Sequence, residues 1–450
     1  MRSHGLAVLT ALAVAAPVGA QETVPPGGSL GLGDVVQSTL RTHPAVGGAW
    51  ARREAAEAAV GEARAALYPT IGLSVEGAWH QEPMVVAPLH GFDAMDPPDF
   101  DEALYQGHAG AQYTLFDGGA RSGRIRAAEA GAEAAAAGVV AARDAVLAEA
   151  VSAYLSVLSG IELLEARASQ VDALEAELDR SRLMLDQGTT ARVEVLRAQA
   201  VLSRARAERT AGAEGLELRR RRLARVSGLD LARVRSATLA PVGPAPAGTL
   251  SRDSLLREAL AENAGLVATR RRLEAAEGRA EVARGARFPT LSASGRYSAF
   301  GSAATDPVLE WQAGLQVRYP LITGGARGRG IERADAEAAD ARAEAELAAR
   351  SVADAVDAAL LAYRAAAARV TALEDAVEQS AEVARIEALA LEAGAGTQTD
   401  YLLAEASLLE TRAALAEARQ SLAEGWVGIA RVTGRLTPEW LARLTGGADG

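Results

Sequence analysis

The chain has 450 residues with a formal net charge of −11 and only 4% aromatic residues, and its alanine-rich runs favour long helices over a thick globular core. The acidic balance argues against nucleic acid as a partner, because phosphate backbones bind clustered positive charge. The chain contains no cysteine and no lysine, which excludes disulfides, thiolate metal sites, a cysteine lipid anchor and a Walker A lysine.

Residues 1–20 have the order of an export signal. Arg2 supplies positive charge, residues 6–16 are apolar, and the small residues at 18–20 form a cleavage site. We therefore predict a signal peptide and a mature chain that works outside the cytoplasm. No later segment has the ~20 uninterrupted apolar residues of a membrane-spanning helix, so a membrane crossing would have to use strands.

The first predicted elements are a helix and two strands. Residues 46–66 are rich in Ala, Arg and Glu, and Pro69 ends the helix predicted there because proline clashes with the preceding turn. Segment 69–79 alternates apolar residues with small or polar ones, and together with 108–117 it is a predicted strand pair. The residues between them, 80–107, contain many Pro and Asp residues and form a predicted loop.

This loop contains side chains that bind soft metals: His80, Met84, His90 and Met95. They suggest a copper or silver site. In a Pro- and Asp-rich loop such residues are more often ordinary surface residues, so no metal site and no cofactor is predicted. Catalytic residues are not predicted either, because none of the five histidines is paired at i, i+4 on a helix and no G-x-S-x-G sequence occurs.

The second strand runs into the sequence YTLFDGGARSGRI, residues 113–125. Gly118 and Gly119 let the backbone leave the sheet through angles that other residues avoid, and Asp117 is a candidate helix N-cap. Residues 120–186 contain no proline, so a single helix of roughly 100 Å is predicted there at 1.5 Å per residue. The motif is therefore a predicted joint between a strand and a long helix.

The long helix is followed by a tight glycine turn at 187–189 and a second helix at 191–227. Apolar residues recur three and four positions apart in the long helix with charges between them, which predicts coiled-coil or bundle packing. A Pro- and Gly-rich segment at 240–250 then joins this first unit, residues 21–239, to the rest of the chain.

The whole unit repeats in the same order. Pro69 recurs as Pro289 at an offset of 220 residues, and the joint recurs as YPLITGGARGRGI at an offset of 206. The difference of fourteen residues lies between the strands of the first copy. The predicted elements of the second unit, residues 251–436, are a helix at 264–286, strands at 289–299 and 309–320, a long helix at 326–392 and a helix at 397–433, before a tail at 437–450.

The predicted strands have one apolar and one polar face. A soluble sheet with one wet face gives the same alternation. Aromatic residues cluster near the strand ends, however, as in the girdles of a membrane barrel, whose strands need about 9 to 11 residues. These residues are Tyr68, Trp79, Tyr113, Phe116, Phe288, Tyr297, Trp311 and Tyr319. Four strands from one chain cannot close a barrel, so the barrel alternative requires several chains.

With this doubled order the chain resembles the TolC family of outer-membrane efflux proteins. The resemblance covers essentially the whole mature sequence and rests on RAALYPT and RGARFPT before the first strands, the two Gly-Gly joints, and the Gly turns LDQGTTARVEVL and LEAGAGTQTDYLL. It implies an α+β membrane fold: a homotrimer in which each chain gives four strands to a shared twelve-stranded β-barrel, continued by a long α-helical periplasmic barrel.

The resemblance also implies a non-enzymatic exit channel in the outer membrane, embedded in its lipid. Such a channel belongs to a tripartite efflux or type I secretion system and works with a periplasmic adaptor and an inner-membrane pump. An alternative is a soluble periplasmic coiled-coil scaffold or adaptor protein, which would have no need of aromatic-ended strand pairs. The cargo stays open, because a wide tunnel selects little and the pump chooses what enters.

Roles for individual residues follow from the same resemblance. The turn residues that would dock the adaptor are Gln187, Gly188, Thr189, Ala393, Gly394 and Ala395. The strand–helix joints are Pro69, Gly118, Gly119, Pro289, Gly324 and Gly325. Asp400 matches one of the two acidic rings that narrow the tunnel in TolC, whereas Leu403 stands in place of the second, so a single periplasmic gate ring is expected. Asp400 also has the spacing of a helix cap from Thr397, and a purely structural role stays open.

Overall fold

The computed structural model describes residues 28–90, 95, 97–243 and 250–444. The predicted signal peptide at 1–20 lies outside the described residues, as do most of the Pro- and Gly-rich segment and the last six residues. Long helices and a four-stranded sheet dominate the described chain.

The elements of the first unit are β1 (Ser29–Leu30), α1 (Leu32–Thr42), α2 (Pro44–Ala65), β2 (Thr70–Val85), β3 (Phe100–Phe116), α3 (Ala120–Asp186), α4 (Arg192–Ser227), α5 (Leu231–Ser236) and β4 (Thr238–Leu239). Those of the second are α6 (Arg252–Glu262), α7 (Ala264–Gly285), β5 (Thr290–Ser302), β6 (Val308–Arg318), α8 (Ala326–Glu392), α9 (Gln398–Val432) and α10 (Pro438–Leu444). The short strands β1 and β4 pair in parallel, and α10 lies in the segment predicted as a tail.

The four long strands form one antiparallel sheet in the order β2-β3-β5-β6. The first hairpin is longer than the predicted strands 69–79 and 108–117. Its two strands pass a register irregularity after Trp79 and pair again where Val85 faces Phe100. The hairpin therefore extends well beyond the segment that alternates in the sequence.

This extension corrects the predicted loop 80–107. His80 and Met84 lie within β2 and not in a loop. Pro83 and the polar residues around it interrupt the apolar–polar alternation from which strands are predicted, so the sequence does not reveal this part of the strand.

The second hairpin also differs slightly from its predicted strands, 289–299 and 309–320. β5 continues to Ser302, and β6 ends at Arg318. Pro320 cannot donate a backbone hydrogen bond, so the strand stops before it.

Each unit begins with two helices where one is predicted. His43 ends α1 and caps α2 with its ring, while Pro44 occupies the first position of α2, where its missing N–H costs nothing. Asn263 has the same place between α6 and α7. The helices predicted at 46–66 and 264–286 are thus the second members of these pairs.

The helices α3 and α8 occupy residues 120–186 and 326–392, each roughly 100 Å long. Equivalent ion pairs fix the helix that precedes each hairpin against the helix that follows it. Arg64 Nη2 lies 2.5 Å from Glu129 Oε1 in the first unit, and Arg284 Nη2 lies 2.7 Å from Asp335 Oδ1 in the second. The repeat of the sequence is therefore a repeat of the structure.

The main apolar core lies midway along α3, around the fully buried Tyr154. Its hydroxyl lies 2.9 Å from the carbonyl oxygen of Leu30 and 2.6 Å from that of Ala240, which ties the small sheet to α3. Burial raises the pKa of Tyr154 to about 12. Among the described helices only α3 is long and apolar enough to cross a membrane, and 56% of its most apolar window is buried inside the protein.

Candidate channel wall, joints and periplasmic turns

The register of the four-stranded sheet separates an apolar from a polar face. One row of neighbours across all four strands is Leu73, Ala109, Tyr297 and Trp311. Leu73 and Trp311 are 78% and 75% exposed. Since large apolar side chains in such a continuous array are not stable against water, this face is suited to lipid.

The adjacent row points to the opposite face and is polar: Ser74, His108, Ser298 and Glu310. Alternation along a strand puts successive residues on opposite sides, so the two rows cannot share a face. His108 Nδ1 lies 2.9 Å from Ser298 Oγ, and these polar side chains satisfy one another along the surface. A polar inner face and an apolar outer face are the pattern of a membrane barrel with an aqueous lumen.

The sheet has two open edges, at β2 and β6. An open edge cannot lie in lipid, because its unpaired N–H and C=O groups find no hydrogen-bonding partner there. Further strands must therefore pair with both edges.

His90, one of the four candidate soft-metal ligands, lies against a carboxylate. His90 Nε2 lies 2.6 Å from Glu310 Oε1, across the two hairpins. No group of three or more His, Cys, Asp or Glu side chains that could hold a metal ion occurs in the part of the chain that the structure describes.

The first joint is packed within the chain. Gly118 and Gly119 have φ angles of 65° and 89°, in the left-handed region that favours glycine. A Cβ atom on Gly118 would lie 2.5 Å from the carbonyl oxygen of Gly285 and 2.9 Å from the Cβ of Phe288. The helix N-cap is Gly119 rather than Asp117, although Asp117 Oδ2 accepts the backbone N–H of Arg121 at 2.9 Å.

The second joint has the same backbone conformation as the first, but no other atoms pack closely around it. Gly324 and Gly325 have φ angles of 58° and 85°. A Cβ atom on either residue would meet nothing within 4 Å. Because the two units are otherwise equivalent, this open space marks a surface that a single chain leaves uncovered.

The two turns between long and short helices are also equivalent. Gly188 and Gly394 each have φ of 73°, and the residues after them close the helix ends: Thr189 N–H donates to Met184 O and Ala395 N–H donates to Ala390 O, both at 2.9 Å. All six predicted docking residues are exposed. The turns thus present two similar small-residue tips at the same end of the molecule.

Asp400 lies in the first turn of α9, just after the second of these tips. Its Oδ2 accepts the hydroxyl of Thr397 at 2.6 Å, and its backbone N–H donates to Thr397 Oγ1 at 3.2 Å. The side chain is exposed, as is that of Leu403. The local geometry thus includes the cap contact and leaves the carboxylate accessible to other chains or to ions.

A buried network beside these turns was not predicted from the sequence. Gln398 Nε2 donates to Glu177 Oε1 at 3.0 Å and to Ser181 Oγ at 2.7 Å. Arg180 donates to the carbonyl oxygen of Leu391. The network joins α3 to α8 and α9. Because its members lie far apart in the sequence, no local pattern predicts it.

A second unpredicted feature is a buried carboxylate. Asp144 lines a groove of about 750 Å³ between α3, α8 and α9. Burial raises its pKa to about 6, although the nearby Arg143 and Arg431 oppose the shift. The sequence gives only a weak indication that Asp144 is buried: it shares a helix face with the buried Leu147 and Val151, three and seven residues later.

A family comparison decides the identity of this architecture. The model of the family described as "Outer membrane efflux protein" matches residues 35–229 and 255–435, one match for each unit. The chain belongs to the outer membrane efflux protein family. Protein CyaE of Bordetella pertussis is 31% identical over 319 residues, which are 68% of this chain and 64% of CyaE. The chain thus matches less than two thirds of that relative's length.

Solved structures of outer membrane proteins share the fold. VceC of Vibrio cholerae has a TM-score of 0.76 at 22% identity, covering 90% of this chain and 96% of VceC. The CmeC outer membrane channel of Campylobacter jejuni has a TM-score of 0.79 at 16% identity, covering 92% and 89%. This family member is therefore an α+β outer membrane protein, with barrel strands at one end and a helical tunnel in the periplasm.

Proposed function

We propose that the protein is the outer-membrane exit channel of a tripartite efflux or type I secretion system, a passive duct without a covalent step of its own. The observation that carries this proposal is the four-stranded sheet, which has one exposed apolar face, one polar face and two open edges. A soluble coiled-coil scaffold or adaptor would expose that apolar face to water, which is unfavourable.

The proposed assembly is a homotrimer. Three copies of four strands close a twelve-stranded barrel, which leaves room for a lumen, whereas eight strands are filled by side chains. Closure pairs β6 of one copy with β2 of the next and places α8 beside the neighbouring α2. The open surrounding of Gly324 supports this, since its equivalent Gly118 is covered by α7 within the chain.

Reconstitution of the purified mature protein in planar bilayers tests the channel proposal. We expect stepwise, long-lived conductance from a particle whose mass in detergent is that of three chains. A stable soluble monomer, or a bilayer that stays silent after verified insertion, would contradict it.

The docking part of the proposal concerns the two glycine turns. The family resemblance and the exposed, equivalent tips support adaptor contact there. Gln187→Trp and Ala393→Trp place a bulky group at positions with ordinary negative φ, −80° and −74°, so they add no backbone strain. We expect each to reduce export at least tenfold in a cell with the cognate pump, while trimer mass and bilayer conductance stay unchanged.

Glu165→Trp, on an exposed site far from the turn on the same helix, is the matched control and should leave export intact. Normal export by both turn variants would refute docking at the tips without affecting the channel proposal.

A further inference from the structure

Each unit carries a tyrosine–arginine pair at its strand–helix joint. The guanidinium carbon of Arg121 lies 5.6 Å from the ring centre of Tyr113, and that of Arg327 lies 4.9 Å from the ring centre of Tyr319. Tyr113 lies on the apolar face of β3, and Tyr319 directly follows β6, two residues after Val317 of its apolar face. In a membrane barrel this is the aromatic girdle, so the guanidinium groups lie at headgroup depth on the periplasmic side.

The first of these arginines is covered and paired within the chain, with an acid that it shares with Arg124. Arg121 Nε lies 3.6 Å from Asp117 Oδ2, and only 15% of the arginine side chain is exposed. Its terminal nitrogens donate to the carbonyl oxygens of Ala66 and Leu115 at 3.4 and 3.3 Å. Most donors of this guanidinium are therefore used or covered within the chain, and few are left for a ligand.

The second arginine lacks such an acid. Thr323 stands where the first unit has Asp117. Arg327 donates to the hydroxyl of Tyr319 at 3.0 Å and to the carbonyl oxygen of Pro320, and none of the described carboxylates forms an ion pair with it. A guanidinium has five N–H donors, so several of them remain for an anion.

The residues beside Arg327 are apolar and unusually open. Leu321 and Ile322 are 84% and 92% exposed, whereas their equivalents Leu115 and Phe116 are 43% and 46% exposed. Phe116 is covered by Phe288, whose ring centre lies 6.4 Å away. By equivalence, the neighbouring copy covers part of both Leu321 and Ile322 in the trimer and leaves Leu321 exposed to lipid to about the extent of Leu115, 43%.

We propose that Arg327 binds the phosphate of an anionic phospholipid in the periplasm-facing leaflet of the outer membrane, with Leu321 among its acyl chains. Arginine matches phosphate oxygens with paired N–H donors, and its ring contact holds the guanidinium in place. The trimer has three such sites, one under each second hairpin. This inference rests on the barrel assembly proposed above.

Native mass spectrometry of the purified trimer, with phosphatidylglycerol or phosphatidylcholine added in detergent, tests the site. We expect the wild type to retain up to three phosphatidylglycerol molecules in preference to phosphatidylcholine. Arg327→Gln removes the cation, and Thr323→Asp supplies the acid of the first unit while keeping the arginine. Both should weaken phosphatidylglycerol retention about fivefold, since one basic residue near an anionic lipid surface contributes on that order.

Arg329→Gln is the matched control. Arg329 lies on the same helical turn but is paired with Glu332 at 2.6 Å, so its loss changes net charge equally and should leave lipid retention unchanged. Equal retention of both lipids, an unaltered preference in Arg327→Gln and Thr323→Asp, or equal losses in the Arg329 variant would overturn the proposal. If the trimer retains inorganic phosphate as well as it retains phosphatidylglycerol, the site would be assigned to a free anion instead. The trimer mass in the same spectra shows separately whether assembly has failed.

Discussion

Asp144 gives the helical barrel a predicted pH dependence at the scale of one residue. Its pKa in the folded chain is about 6, above the ordinary value of about 3.9 in an unfolded chain. The folded state therefore binds the proton more tightly, and the free energy of unfolding falls as pH rises from about 4 to about 6. Above that range the buried charge is a constant cost.

Asp144→Asn keeps the shape and removes this cost. We expect the variant to be more stable than the wild type by about 1 to 3 kcal/mol per chain at pH 7.5, and nearly equal to it at pH 4. Melting curves at matched scan rates measure the difference. Asp172→Asn, on an exposed site of the same helix, should show no such dependence, and a gain that is equal at both pH values would mean that packing rather than ionisation is responsible.

Gly118 and Gly324 form a matched pair that separates folding from assembly. In both, alanine costs about 1 kcal/mol because φ is positive. Gly118→Ala also drives a Cβ atom into the Gly285 carbonyl, so we expect little folded protein. In Gly324→Ala the added Cβ atom meets no atom of its own chain, so the chain should fold. The fraction of trimer should fall and that of monomer rise, because the neighbouring copy takes the place that α7 has at Gly118. Normal assembly of Gly324→Ala would show that no neighbour approaches.

At the scale of an element, the first turn of α9 contains the proposed gate residue, Asp400. This residue has two candidate roles, the capping contact with Thr397 and a negative charge in the tunnel. Asp400→Asn keeps an oxygen that can accept from the Thr397 hydroxyl and removes only the charge. If three carboxylates meet at the tunnel axis, they attract cations there. We expect weaker cation selectivity and less block by multivalent cations in bilayer recordings, with melting temperature nearly unchanged.

Thr397→Val is the complementary change, because it removes the oxygen that accepts the Asp400 backbone N–H without changing charge. It should lower stability by about 1 kcal/mol and leave selectivity unchanged. Unchanged selectivity in Asp400→Asn together with a lowered melting temperature would assign Asp400 to capping alone.

Elements with local causes could be predicted from the sequence, and those with distant causes could not. The long helices follow from proline-free runs, and the joints follow from Gly-Gly after an apolar strand. The extended first hairpin shows no clear alternation because Pro83 and polar residues interrupt it, although Leu104 is buried. The link between Gln398 and Glu177 depends on packing between helices of different units, which no local pattern encodes.

At the scale of the whole molecule, the internal duplication predicts the subunit interface. A contact between the two units of one chain should recur between the second unit of one copy and the first unit of the next. The contact between α3 and α7 is close because Gly278 lacks a side chain: a Cβ atom there would lie 2.9 Å from the backbone nitrogen of Ala127. The equivalent contact between copies is expected to join α8 to the neighbouring α2, with the helices slightly farther apart because Ala58 takes the place of Gly278. The offsets of 220 and 206 residues map Gly278 to Ala58 and Ala127 to Arg333, and both of these are exposed in the single chain.

The chain has no cysteine, so a pair introduced at these positions reports on this contact alone. In Ala58→Cys/Arg333→Cys, the two sulfur atoms belong to different copies and should form disulfides, since bridged residues have Cα atoms within about 7 Å. We expect dimers and trimers on a non-reducing gel after mild oxidation, a return to monomer with reductant, and no crosslink in either single variant. Monomers whose two thiols both remain reactive would mean that α8 does not lie against the neighbouring α2. The copies would then have to meet through other helices.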